Sequence, residues 1–401
     1  MRPTVAMLVA LLLAASTPLS AQQDLTVVNA RIVGANGTVI ERGSIVVRAG
    51  KIVSVAPGAP SSTSRQTIDA KGMTAMPGFI DAHRHINTGP NEKAQMQALL
   101  EAGYTTILSG GGPADGNITL RDHIDQGLIS GPRIIPTARI ALMNNPPERA
   151  RVQIREMAAI GIKFTGEIGL TPLPGPPPAE IDVLRAIVDE ARKVGITVQV
   201  HATSSRAMVA AVEAGAPLLV HLPNKDWVSR EDAKTLVAAG TRICTTSGFG
   251  VPVFGVFAAD NMPRFRDGKP WPESILQGIR LGEEAGYTQV NARTLWDAGV
   301  NVGYCTDTTF DPKAGLSHEL KTLNAMFSTQ DLVKLMGPNT ASYVQMGDQI
   351  GTLEVGKLAD IVLLDGNPLD GYWNWLRTTV VIKGGKVVVD KRSSAGAASS
   401  R

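Results

Sequence analysis

Apolar and polar positions along the 401-residue chain fall into two rhythms. Near the start, residues 25–33, 44–47 and 51–55 are short apolar-rich segments separated by Gly- and Asn-containing turns, which predict a β-meander. The far end mirrors it. Residues 360–364 form a short apolar run, and 380–383 and 386–389 flank Gly384-Gly385, a hairpin signal. Isolated hairpins are marginal in water, so both termini are expected to build one small β-sandwich domain from residues 22–72 and 348–392. Between them, helical patterns end in Gly and a β-rich run follows almost at once. This happens at Gly103, Gly161, Gly195, Gly215, Gly240 and Gly299, where Gly suits the left-handed turn that ends a helix. The strands so placed are 104–108, 162–165, 196–200, 218–220, 241–245 and 300–304. Two more, 74–81 and 133–137, bring the count to eight. Eight strands alternating with helices predict an α/β fold, a (β/α)8 TIM-type barrel over residues 73–347. An open doubly wound sheet is the rival.

The ends of the chain add a location. Met1 and Arg2 precede an apolar run over 5–15 and a small-residue close at Ser20-Ala21, the pattern of a cleavable signal peptide over residues 1–21. The run is shorter than the ~20 residues a membrane span needs. Export to the periplasm or beyond is therefore expected, with no membrane attachment after cleavage. The Ser/Ala/Gly-rich tail 393–401 is expected to be disordered. Net charge is +3 with no dense Lys/Arg tract, which argues against a nucleic-acid partner; the partner expected is a small-molecule substrate. Self-association as a homo-oligomer stays open. So does the pairing of Cys244 and Cys305, which read either as small buried residues or as a disulfide.

Two excursions break the barrel rhythm, the Pro-rich 171–180 and the long 248–271. Both follow strand C-termini, where barrel enzymes carry substrate loops. Arg264, Arg266 and Lys269 in the second could meet an acidic substrate or simply face water.

The chemistry lies at strand ends. FIDAHRH places His83 and His85 at i and i+2, on one face of a strand and about 6.6 Å apart along it, so both can reach one metal. His201 in ITVQVHA and His221 in PLLVHLPN each close an apolar strand, at the rim where barrel enzymes act. Asp307 follows the last strand and can bind metal or serve as general base; capping of the next segment is its plainer role. Lys163 interrupts the apolar run GIKFTGE, and an ammonium inside a barrel must be neutralised. Reaction with CO₂ to a carbamate bridging two metals is one solution, and a salt bridge to Glu167 is the other. His123 reads as a surface residue, His318 as a helix-capping one that could instead line the mouth, and Gly110-Gly111-Gly112 as a tight turn.

In this order the residues resemble the amidohydrolase superfamily, in its imidazolonepropionase-like and dipeptidase-like branch. MPGFIDAHRH and GTLEVGKLADIVLLDGNPL resemble the segments that join its barrel to its β domain. The resemblance implies metal ligands at His83, His85, Lys163, His201, His221 and Asp307. It also implies two divalent ions, zinc being the expected metal, with Lys163 carboxylated on its side-chain nitrogen. The implied reaction is hydrolysis of an amide, as in an N-acyl amino acid or dipeptide, by a metal-bridged hydroxide with Asp307 as general base. A one-metal site opening a cyclic C–N bond or lactone is the alternative, and a catalytically silent barrel scaffold the non-enzyme reading. Arg84 departs from the family pattern, which often has a small or apolar residue between the two histidines.

Overall fold

The computed structural model describes residues 24–61, 64–248, 279–308 and 311–392. The signal peptide read at 1–21, the tail 393–401 and most of the 248–271 excursion, with Arg264, Arg266 and Lys269, lie outside the described residues.

Strands from both ends of the chain share one sheet. In it β1 (Leu25–Val33), β2 (Val39–Arg48), β3 (Lys51–Pro57), β4 (Gln66–Asp69) and β5 (Thr74–Pro77) meet β15 (Ile361–Leu364), β16 (Thr378–Lys383) and β17 (Lys386–Asp390). The order is β17-β16-β15-β5-β1-β2-β3, with β4 beside β1. Its inner face has its own apolar cluster, including Leu25, Val27, Ile45, Ile361 and Val380.

The expected strand over 74–81 is two strands. β5 pairs with β15 and β1 in the terminal sheet, whereas β6 (Phe79–Arg84) pairs with β7 (Tyr104–Ser109). Pro77 cannot donate to a ladder, and a Cβ on Gly78 would meet Thr105 Oγ1 at 2.3 Å, so the chain changes sheets there. Pro136 splits the run 133–137 in the same way, into β8 (Arg133–Ile135) and β9 (Thr137–Ala138).

The remaining strands are parallel. One sheet is β6-β7-β8; the other runs β14-β13-β12-β11-β10-β9. The latter holds β10 (Phe164–Gly169), β11 (Thr197–His201), β12 (Leu218–Val220), β13 (Arg242–Cys244) and β14 (Val302–Gly303). The two sheets are tied by Ala82 N–H to Tyr304 O at 3.2 Å and Glu167 N–H to Gly110 O at 3.2 Å. Helices α1 (Glu92–Ala102), α2 (Ala114–Asp125), α3 (Pro147–Ala159), α4 (Pro178–Val194), α5 (Ser205–Glu213) and α6 (Arg230–Ala239) alternate with the strands. They are followed by α7 (Ile279–Ala298) and α8 (Pro312–Leu323), then the short α9 (Thr329–Lys334) and α10 (Thr340–Tyr343). All six glycines read as helix ends have positive φ, from 66° at Gly240 to 105° at Gly103. α4 shows why the helices pack: Leu184, Ile187, Val188 and Ala191 recur at helical spacing and are buried, each large side chain contributing about 1.5–3 kcal/mol.

Cys244 and Cys305 form a disulfide, with Cα atoms 5.7 Å apart on neighbouring chain segments of the interior. Nearby, α8 sends the buried Glu319 under the segment after β13, where it accepts N–H bonds from Ser247 at 2.7 Å and Gly248 at 2.5 Å. Burial pushes its carboxyl up to about 7 from 4.5. The folded state thus keeps a proton that the unfolded chain releases between these values. That stability is fully present below about pH 4.5 and is lost as pH rises through 7. Urea midpoints should fall across this window, and Glu319→Gln should flatten that part of the slope; an unchanged slope rejects the assignment.

Candidate metal centre

Five of the six residues expected as ligands converge at the C-terminal ends of the parallel strands, together with Glu167. His83 comes from β6, His85 follows its last residue, Glu167 comes from β10 and His201 from the end of β11, while His221 follows β12 and Asp307 follows β14. Strand alternation puts His83 and His85 on one face. Their Nε2 atoms lie 3.4 and 3.0 Å from Asp307 Oδ1 and 3.8 and 3.5 Å from Glu167 Oε1. The other Glu167 oxygen, Oε2, stands 2.7 Å from His201 Nδ1 and 3.0 Å from His221 Nε2. One carboxylate therefore faces two ligand sets, one oxygen to each.

Lys163 does not join them. It is exposed and precedes β10, four residues and roughly 13 Å of strand before Glu167. The strand lies two residues later than the run 162–165, so the polar side chain at the active end is Glu167. The ammonium needs no carbamate because it faces water, and it is not paired to Glu167, whose oxygens are taken by histidines. Lys163→Met should leave metal content unchanged and kcat/KM within about twofold, as for most exposed positions; loss of metal in this variant would return Lys163 to the site.

Asp311, and not Asp307, caps α8, accepting from Ala314 N–H at 2.7 Å. His318 lies within that helix and does not cap it. His123 is half-buried against Glu92, Nδ1 to Oε1 at 2.7 Å. The glycine run after β7 makes room for the site: a Cβ on Gly110 would fall 2.8 Å from His83 Nε2.

Two observations test whether a metal suits these residues. Four ligands at about 2.1 Å from one ion stand roughly 3.4 Å apart, within the 3.0–3.8 Å range between the histidine and carboxylate atoms of the set His83, His85, Asp307 and Glu167. His83 is wholly buried, yet neither ring nitrogen has a hydrogen bond among the described residues, a costly state unless a cation takes the lone pair. The electrostatics agree. Burial disfavours a charged His83, but Asp307 and Glu167 outweigh it and lift the imidazole to about 9. The same carboxylates lift His85 to about 10. Burial also opposes ionised Glu167 and Asp307, yet the histidines hold both carboxyls well below their usual range. Burial pushes His221 down instead, and its Nδ1 meets Thr246 Oγ1 at 2.8 Å. The centre is built to hold positive charge, as protons or as metal.

The family model of the amidohydrolase family matches residues 74–388. The chain belongs to the amidohydrolase family. Among curated amidohydrolase relatives, it is 24% identical to the imidazolonepropionase of Caldanaerobacter subterraneus subsp. tengcongensis, over 87% of this chain and 91% of that one. It is 22% identical to the dihydroorotase of Mycobacterium tuberculosis, over 81% and 86%. Among solved structures, a Bifidobacterium longum protein assigned as a prolidase superposes with a TM-score of 0.78 at 27% identity, over 94% of this chain and 98% of that one. This amidohydrolase keeps the histidines and aspartate of the expected ligand set and gathers them about Glu167 where a carboxylated lysine was expected.

Proposed function

We propose that this amidohydrolase hydrolyses an amide C–N bond, as in a dipeptide or N-acyl amino acid, at a two-metal centre. The observation that carries this reading is the sharing of Glu167 between two ligand sets. His83, His85 and Asp307 would hold one ion, His201 and His221 the other, with Glu167 common to both. Bound divalent ions would polarise the scissile carbonyl and acidify the attacking water. Imidazole and carboxylate donors suit zinc. Asp307, pressed against His85 at 3.0 Å, would take the proton from the water on its carboxylate and pass it to the departing amine. Thr246 would fix the ring of His221 through Nδ1, leaving Nε2 toward Glu167. Likeness to a structure assigned as a prolidase supports a dipeptide.

The same reading takes the parallel strands as a closed (β/α)8 barrel with a β-sandwich beside it, supported by the backbone bonds between the two parallel sheets. It also takes the chain as exported, supported by the Cys244–Cys305 disulfide, since such bonds persist in oxidising compartments. Metal analysis of the purified chain, with a screen of dipeptides and N-acyl amino acids, tests the activity. About two ions per chain are expected, with hydrolysis abolished by a chelator and restored by zinc. Full activity in metal-free protein rejects the proposal.

A further inference from the structure

We propose that Arg84 is a positioning residue that holds Asp307 in its working orientation through the hydroxyl groups on either side of it, an inference that rests on the role given to Asp307 above. A cation between two metal-ligating histidines is an odd choice unless it points away. Strand alternation turns it to the opposite face, where the side chain is only 3% exposed. There Nη1 donates to Thr308 Oγ1 at 2.7 Å and, more weakly, to Thr306 Oγ1 at 3.4 Å. These two threonines flank Asp307 in the chain.

The bonds form a polarised series. Thr308 Oγ1 donates to Thr306 Oγ1 at 3.1 Å, and Thr306 Oγ1 donates to Asp81 Oδ2 at 2.6 Å. The Asp81 carboxylate closes the ring 4.0 Å from the guanidinium. Its Oδ1 accepts from the backbone N–H of Thr306 at 3.0 Å and of His83 at 3.2 Å, so one buried acid fixes both the ligand His83 and the residue before Asp307. Each threonine hydroxyl accepts from the guanidinium and donates onward to one acceptor, an arrangement in which each bond strengthens the next.

Asp307 needs such support. Its φ is 51°, a left-handed conformation uncommon outside glycine, which persists where surrounding contacts over-determine it. Its own N–H donates to His83 O at 2.8 Å. Gly315 on α8 leaves the space the clasp occupies: a Cβ there would stand 2.9 Å from Thr308 Oγ1 and 3.7 Å from Arg84 Nη1. Alanine outranks glycine inside a helix, so Gly315→Ala should disturb the clasp without weakening the fold.

The test is a mutant cycle in the zinc-loaded full chain, with a hydrolysed dipeptide as substrate. Arg84→Met should lower kcat at least tenfold, with KM within about threefold and metal content kept. Thr308→Val and Gly315→Ala should lower kcat in the same direction, Gly315→Ala with an unchanged or higher Tm. Combined with Asp307→Asn, Arg84→Met should change kcat by less than twofold, because residues acting as one unit are not additive. If Arg84→Met fails to fold, Gly315→Ala carries the same cycle. Equal fractional losses in the wild-type and Asp307→Asn backgrounds overturn the clasp alone. Full activity in Asp307→Asn overturns the role of Asp307 and the clasp with it.

Discussion

Replacing Glu167 with Gln is expected to empty at least one of the two metal positions proposed above and to lower kcat/KM by about a thousandfold or more, some 4 kcal/mol of barrier. Two effects act together. The carboxylate supplies one oxygen to His83, His85 and Asp307 and the other to His201 and His221. An amide keeps the shape but turns an N–H₂ group toward one of the two sets, where it cannot ligate. The charge goes too, and with it the one anion shared by both histidine sets, which weakens the hold of each set on a divalent cation. Metal analysis and steady-state kinetics on the same preparation check this. Two ions per chain with ordinary activity in Glu167→Gln would move the shared ligand elsewhere.

Asp307→Asn should separate binding from chemistry. Asparagine tolerates the left-handed backbone at this position and keeps one oxygen for metal, so most of the metal should remain. What disappears is the group that accepts the proton, and kcat should fall by about 10²–10⁴-fold. KM should move little. Near-full activity in the metal-loaded variant would remove Asp307 from the proton pathway.

His201 and His221 are legible because each is a polar residue closing an apolar strand, and His83 and His85 because their i, i+2 spacing turns both to one face; a strand end is where water and substrate meet a parallel sheet. The rule that marks His201 and His221 also marks Glu167. It was obscured by Gly166, which weakens the β pattern just before it and suggests that the strand has already ended. Gly166 is there for another reason: a Cβ would come within 3.0 Å of the Gly111 backbone. Lys163 drew notice because a charge in an apolar run looks buried, and only the position of the strand shows that it lies at the solvent end. The boundaries at Pro77 and Pro136 were visible as residues but not as changes of sheet, since a sheet partner distant in sequence leaves no local trace. Arg84 stood out by type alone; its partners at 306 and 308 lie over two hundred residues away.

The terminal sheet sets an order of assembly. β5 lies between β1, made among the first strands, and β15, made among the last. No ribosome-bound chain can complete that sheet until Ile361–Leu364 has been made, and such distant pairings are intrinsically slow to form. Until β15 arrives, β5 presents an unpaired edge directly before the strand that carries His83 and leads into His85. The nascent protein thus lacks a finished foundation for the candidate metal centre until the residues of β15 have been made.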